Sequence, residues 1–173
     1  MTERYLKIYL RDHFALGQAG MDLCHRIMKA NSDNPLGPKL EEVLDDLGEE
    51  VEALRRVMNL LDVTPSPLKV ATYRLAEKAG RLKLNGELTR YSPVSRMLEI
   101  EGLMSGVIGR RELWATLEDA RRLYPALEEI PIDIFKEQAD AHLEILQELH
   151  QRATALMLKG GEHQGGGPGR RTT

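Results

Sequence analysis

The chain has 173 residues, the size of one domain, and 42% of them are hydrophobic, enough for one continuous core. Charged residues make up 29% and aromatic residues 5%, a composition typical of long helices, so we predict an all-α fold. The formal net charge of -3, with both signs interspersed, argues against a partner that is nucleic acid or a membrane surface.

The first helix is predicted over Glu3 to Ala30, where apolar residues recur every three or four positions. This stripe comprises Leu6, Leu10, Phe14, Met21, Cys24, Ile27 and Met28. Gly17 and Gly20 lie on the same stripe, which predicts that a neighbouring backbone comes close there. Cys24 is the only cysteine and is interpreted as a small buried hydrophobe. The N-terminus lacks the apolar region of a signal peptide, which favours a cytoplasmic location.

The second helix is predicted to begin within residues 35 to 38 and to end at about Leu61. Its inward-facing residues are Leu40, Val43, Leu44, Leu47, Val51, Leu54 and Val57. Seven acids crowd its first half and predict a solvated acidic face: Glu41, Glu42, Asp45, Asp46, Glu49, Glu50 and Glu52.

A long connection follows, with a break at residues 62 to 67, a short helix that ends near Gly80, and a turn at Asn85-Gly86. Its length suits a crossover between two parallel helices. The third long helix starts with Ser92 as N-cap and Pro93 at the first helical position, and ends at Tyr124-Pro125.

A flat strip of glycines within the third long helix, at Gly102, Gly106 and Gly109, predicts close packing against another helix. The last helix is predicted from Pro131 to about Lys159 and presents Phe135, Ala139, His142, Ile145, Leu146, Leu149, Ala153 and Leu156 on one stripe. We therefore predict a helical domain over residues 1–159 and a disordered Gly-rich tail over 160–173. No uncharged stretch of the central helix is long enough to cross a membrane.

Four long helices with two short links and one long crossover resemble the ferritin-like four-helix bundle. The run KAGRLKLNGELTRYSPVSRMLEIEGLMSGVIGRRELW, residues 78–114, and the segment YLRDHFALGQAGMDL in the first helix are similar to uncharacterised bacterial proteins of this type. The resemblance implies the fold, with the short extra helix in the crossover, but no established activity.

Ferritin-like carboxylate proteins bind two metal ions with a Glu-x-x-His pair on each of two helices. This sequence contains no Glu-x-x-His, because the residues three before its histidines are Leu10, Asp22, Ala139, Gln147 and Gly160. Ferroxidase or oxygenase chemistry should therefore not be inherited from the fold.

A weaker metal hypothesis uses two imidazoles and two carboxylates. His13, Glu50, Glu101 and His142 lie on or beside the apolar stripes of four different helices. If the four side chains lay at the same height along the bundle axis, they would suit one Fe, Zn or Mn ion. The alternative is that the histidines are hydrogen-bonded boundary residues and that the two carboxylates pair with Arg96, Arg110 or a histidine.

An anion site is a second hypothesis, at the N-terminus of the third long helix. Arg81, Arg90 and Arg96 flank that terminus, and the free N–H groups from Ser92 onward could hold a phosphate or carboxylate. The alternative is a solvated basic face.

The favoured function is a non-enzymatic structural or interaction role without a cofactor, as a homodimer that forms through surplus apolar helix surface. There is no G-x-S-x-G turn to suggest nucleophilic catalysis. The competing hypotheses are a metal-binding bundle and a protein that binds a small anionic or apolar ligand.

Overall fold

The computed structural model describes residues 2–32, 37–73 and 93–162. These residues form helices and turns and contain no strand, so the all-α prediction is confirmed. The long helices are α1 (Thr2–Ala30), α2 (Gly37–Leu60), α4 (Pro93–Ala120) and α5 (Ile132–Glu162). A shorter helix, α3, begins at residue 67 and is described through residue 73, and a 3₁₀ turn at Pro125–Glu129 links α4 to α5.

The four long helices pack side by side, with α1 against α2 and α4, and α5 against α4 and α2. Ion pairs between neighbouring helices show whether the two helices are parallel or antiparallel. Arg26, near the end of α1, pairs with Glu99 at the start of α4. Lys39, at the start of α2, pairs with Glu148 of α5, whereas Asp46, further along α2, bonds to His142, which comes earlier in α5. Helices α1 and α5 therefore run in one direction and α2 and α4 in the other. The link from α2 to α4 joins opposite ends of the bundle, as the crossover prediction requires.

The apolar stripes predicted from sequence meet in the centre. The side chains that are almost wholly inaccessible include Leu10, Ile27, Leu40, Leu47, Met58, Ile100, Trp114, Leu117, Leu127, Ile132 and Leu146. Cys24 is buried as predicted, and burial raises the pKa of its thiol to about 11, so it is not a reactive thiolate at neutral pH. Over the described parts of the chain, none of the helices has the length and apolar character needed to cross a bilayer.

Two helix ends differ from the prediction. Helix α4 ends at Ala120 rather than at Tyr124, because the N–H groups of Arg121 and Leu123 donate to carbonyls only three residues earlier, those of Glu118 and Ala120, and a 3₁₀ turn that buries Leu127 follows. Helix α5 continues to Glu162, past the predicted end at residue 159, since glycine stops a helix only where the backbone turns left-handed. The rest of the predicted tail, residues 163–173, lies outside the described residues.

Helix α2 ends in a Schellman motif built on a residue that is not glycine. Asp62 has a φ of 51°, in the left-handed region. The N–H of Val63 donates to the carbonyl of Met58 at 2.8 Å, and the N–H of Asp62 donates to the carbonyl of Asn59 at 3.2 Å. Val63 is buried against the core, so this cap sets the direction in which the crossover leaves the bundle.

We expect Asp62→Gly to stabilise the protein by about 1 kcal/mol, because glycine adopts the left-handed conformation without the steric penalty of a side chain. In a domain of this size the melting temperature should rise by roughly 2–4 °C. Asp62→Ala, which keeps a Cβ, is the matched control and should give no gain in thermal denaturation. An equal gain in both variants would mean that the carboxylate, rather than the backbone strain, is unfavourable.

Candidate functional site

Five polar or amphipathic side chains meet inside the bundle, and we refer to them as the interior polar cluster. Asp46 and Glu50 are one turn apart on α2, Arg110 and Trp114 are one turn apart on α4, and His142 lies on α5. Residues four apart share one face of a helix. The cluster therefore links three helices, with two residues from α2, two from α4 and one from α5.

Glu50 is the acceptor at the centre of this cluster. Its side chain is only 2% exposed, and its two oxygens have different donors. Arg110 Nη1 donates to Oε1 at 2.5 Å, and Trp114 Nε1 donates to Oε2 at 3.0 Å. Burial raises the pKa of Glu50, and the Arg110 charge and the Trp114 N–H oppose that rise. Glu50 thus departs from the solvated acidic face predicted for α2, because a partner on α4 compensates its burial.

His142 links Arg110 to Asp46 through its two ring nitrogens. Nδ1 lies 3.3 Å from Arg110 Nη2, and Nε2 lies 2.9 Å from Asp46 Oδ2. A guanidinium can only donate, so Nδ1 must accept and the ring proton must be on Nε2, where it is donated to Asp46. The geometry therefore fits the tautomer with its proton on Nε2, within a chain of hydrogen bonds from Glu50 to Asp46.

A groove of about 330 Å³ lies between α1 and α4, next to this cluster. We call it the α1–α4 groove. Small residues dominate its walls: Gly17, Ala19 and Gly20 on α1, and Gly102, Ser105, Gly106 and Gly109 on α4. Leu47 of α2 and Leu103 and Val107 of α4 provide apolar surface inside it. The groove is thus mostly apolar, and the space exists because glycines and other small residues line it.

The glycine strip on α4 packs against another helix at Gly102 only, whereas the prediction placed all three glycines in such a contact. A Cβ built on Gly106 or Gly109 would meet no atom within 4 Å in the structure, and one on Gly102 would meet only Leu23, at 3.7 Å. The prediction was wrong for the other two because spacing within one helix does not say whether a neighbour covers that face. On α1, by contrast, a Cβ at Gly17 would lie 3.0 Å from Val51 Cγ2, so that glycine does allow close packing with α2.

Two polar side chains, His13 and Arg110, mark one end of the groove. Helices α1 and α4 are antiparallel, with Gly102 opposite Leu23, so His13 and Arg110 fall at the same end. The His13 ring contacts the Tyr9 ring, with 4.3 Å between centroids, and burial lowers the pKa of His13 below its ordinary value. Arg110 belongs to both the groove and the interior polar cluster.

The four residues of the metal hypothesis do not come together. Glu50 and His142 each bind Arg110, whereas Glu101 pairs with His150 at 2.9 Å and His13 lines the groove. Over the described ranges, no group of three or more His, Cys, Asp or Glu side chains is placed to hold a metal ion. Glu50 and Glu101 follow the alternative derived from sequence, in which each pairs with an arginine or a histidine.

For the predicted anion site, Arg81, Arg90 and Ser92 lie outside the described residues. Arg96 is half-buried near the start of α4 and has interactions of its own there. The anion site therefore stays a prediction.

Sequence reasoning named Glu50, His142 and, as one of several possible partners for the carboxylates, Arg110, but not the cluster that they form. The available signal was the pair of four-residue spacings, Asp46 with Glu50 and Arg110 with Trp114. Each spacing places two hydrogen-bonding groups on one helix face. Which helix each face meets depends on the register between helices, so the cluster becomes visible only in the structure.

Comparisons of this chain with models of protein families, with curated proteins and with solved structures found no match. The ferritin-like resemblance is therefore a proposal, to which we return below.

We expect Glu50→Ala to lower the free energy of unfolding by about 3–5 kcal/mol, because it leaves the Arg110 guanidinium buried without its carboxylate. Chemical denaturation of the purified variant measures this loss. Glu101→Ala is the matched control, since Glu101 is exposed and its pair with His150 should contribute under about 1 kcal/mol. Similar losses in the two variants would contradict the structural role assigned to Glu50.

The lowered pKa of His13 predicts a pH dependence of stability. Below the ordinary histidine pKa of 6.5 the unfolded chain takes up a proton that the folded chain resists. The His13 contribution is therefore fully present above that value and is lost as the pH falls through the folded pKa. Denaturation of wild type and His13→Gln between pH 7.5 and about 5 should show a shallower decline in the variant.

His25→Gln is the control for this comparison, because His25 is exposed on the same helix. It should retain the wild-type decline. A decline in His13→Gln as steep as in wild type would show that another group causes it.

Proposed function

We propose that this protein binds a small, predominantly apolar molecule in the α1–α4 groove. The volume of about 330 Å³ falls within the roughly 300–1,000 Å³ typical of ligand sites in proteins. Such sites combine apolar walls with a few polar groups that orient the ligand, and here those groups are His13, Ser105 and Arg110.

The glycines of α4 carry this proposal. Glycine inside a helix costs about 1 kcal/mol relative to alanine. Among residues 2–32, 37–73 and 93–162, no contact explains that cost at Gly106 or Gly109, since a Cβ at either position would meet no atom of another helix within 4 Å. An occupant that comes from outside the chain explains both glycines, because it would lie where their side chains would otherwise project.

A binding role is favoured over catalysis by the hydrogen bonds of the polar side chains. The two acid–base groups of the interior polar cluster, Glu50 and His142, already bond to Arg110, Trp114 and Asp46. These bonds hold the helices together and leave neither group positioned as a general base toward the groove.

The ferritin-like architecture is part of the same proposal. Its support is the order of helix directions, with α1 and α5 running one way and α2 and α4 the other. A long crossover that joins two parallel helices between two hairpins is the connectivity of the ferritin-like folds.

We expect toluene, an apolar probe without a charged or hydrogen-bonding group, to bind wild-type protein and to shift the amide NMR signals of Gly102, Gly106 and Gly109. Gly106→Leu should abolish these shifts, because the leucine side chain would fill the groove. It should not destabilise the protein, since the space is open and leucine favours helix more than glycine does.

Ala141→Leu adds the same bulk on an exposed face of α5, away from the groove, and should bind toluene like wild type. Shifts that persist in Gly106→Leu would refute the assignment of the groove.

Light scattering of the same samples tests the predicted homodimer, because it measures the molecular mass in solution. A wild-type dimer that Gly106→Leu dissociates would mean that a second copy, rather than a small molecule, fills the groove.

A further inference from the structure

The chemistry around Arg110 narrows the class of molecule that the groove would accept, an inference that rests on the proposed function. Among the described residues that line the groove, Arg110 is the one with a formal positive charge. A lone arginine at the end of an apolar groove would ordinarily favour a carboxylate or a phosphate. Its surroundings decide whether that charge is available.

One carboxylate already pairs with the Arg110 guanidinium, and a second lies beyond His142. Nη1 donates to Glu50 at 2.5 Å, and Nη2 faces His142, whose opposite nitrogen bonds to Asp46. Apart from His142, the cluster has one formal positive charge, on Arg110, and two formal negative charges, on Glu50 and Asp46. An incoming anion would therefore be attracted by Arg110 and repelled by Glu50 and Asp46, after losing its hydration in an apolar site.

A neutral hydroxyl fits the same end of the groove. The guanidinium has five N–H groups in all, of which the bonds to Glu50 and His142 use two. Further along the groove, five residues before Arg110 on α4, Ser105 donates its hydroxyl hydrogen to the carbonyl of Glu101 at 2.9 Å, so its oxygen can accept. The lowered pKa of His13 supports a neutral imidazole in the groove wall, with one N–H and one bare nitrogen. Donors and acceptors are thus both present.

The size of the groove sets the length of the apolar part. The volume of about 330 Å³ lies at the lower end of the range typical of small-molecule sites, so it suits a small ligand. From Gly102 to Gly109 the helix rises about 10 Å, which makes the groove elongated along α4. A straight chain of about eight carbons matches both the length and the volume.

We propose that the α1–α4 groove selects a neutral linear alcohol of medium chain length over the carboxylate of the same length, with the hydroxyl group at the Arg110 end and the chain along the glycines of α4. Octanol and octanoate are the probes. Titration of wild-type protein at pH 7, followed by the fluorescence of Trp114, should show binding of octanol at least roughly tenfold tighter than binding of octanoate.

Charge variants separate this preference from the greater hydrophobicity of the alcohol. Glu50→Gln removes one of the two negative charges while keeping the shape of the side chain. It should raise octanoate affinity roughly tenfold and leave octanol affinity within about twofold. Asp46→Asn removes the other charge and leaves the Glu50–Arg110 pair intact, so it should act in the same direction even if Glu50→Gln fails to fold. Glu42→Gln, which neutralises an exposed acid of α2, should change neither affinity.

Tighter binding of octanoate than of octanol to wild type would overturn this inference and leave the proposed groove in place. So would an octanoate affinity that stays unchanged in every folded charge variant. If wild type binds neither of the two compounds nor toluene, the proposed function itself fails.

Discussion

The ion pair between Glu50 and Arg110 is the interaction on which the arrangement of the helices depends. Each of these charges would be very unfavourable alone in the interior, so α2 and α4 must meet at the level where they compensate each other. Trp114 satisfies the second oxygen of Glu50, and His142 extends the hydrogen bonds to α5. The apolar stripes constrain the register through their packing, and this cluster adds the requirement that α2, α4 and α5 be level where its hydrogen bonds form.

The helices themselves follow from local sequence. The apolar residues of α1 and α2 recur at helical spacing, and the structure buries Leu10, Phe14, Val43 and Val57 as that spacing predicts. Proline and capping signals placed most helix ends within a few residues. The exception at the end of α4 reflects a tertiary effect, since burial of Leu127 turns the chain there before the predicted stop.

The candidate site was less predictable because it depends on the relation between helices. Sequence spacing shows that Gly102, Gly106 and Gly109 share a face, but the same spacing is compatible with a packed seam and with an open groove. Likewise, the stripe positions of Glu50 and His142 indicate burial without identifying Arg110 as their common partner. The metal hypothesis grouped residues by ligand type. The structure instead brings together only Glu50 and His142, through hydrogen bonds to the Arg110 guanidinium that lies between them.

Arg110 connects the stability of the bundle to the chemistry of the groove. Because its charge is compensated from inside, the residue can face an apolar groove without drawing in anions, and its remaining N–H groups are still able to donate. The same compensation makes any change at Glu50 act in two ways, by weakening the junction of α2 with α4 and by exposing positive charge to the groove. The selectivity proposed for the α1–α4 groove, for a neutral alcohol over a carboxylate, therefore follows from the requirement that buried charges be paired in the folded protein.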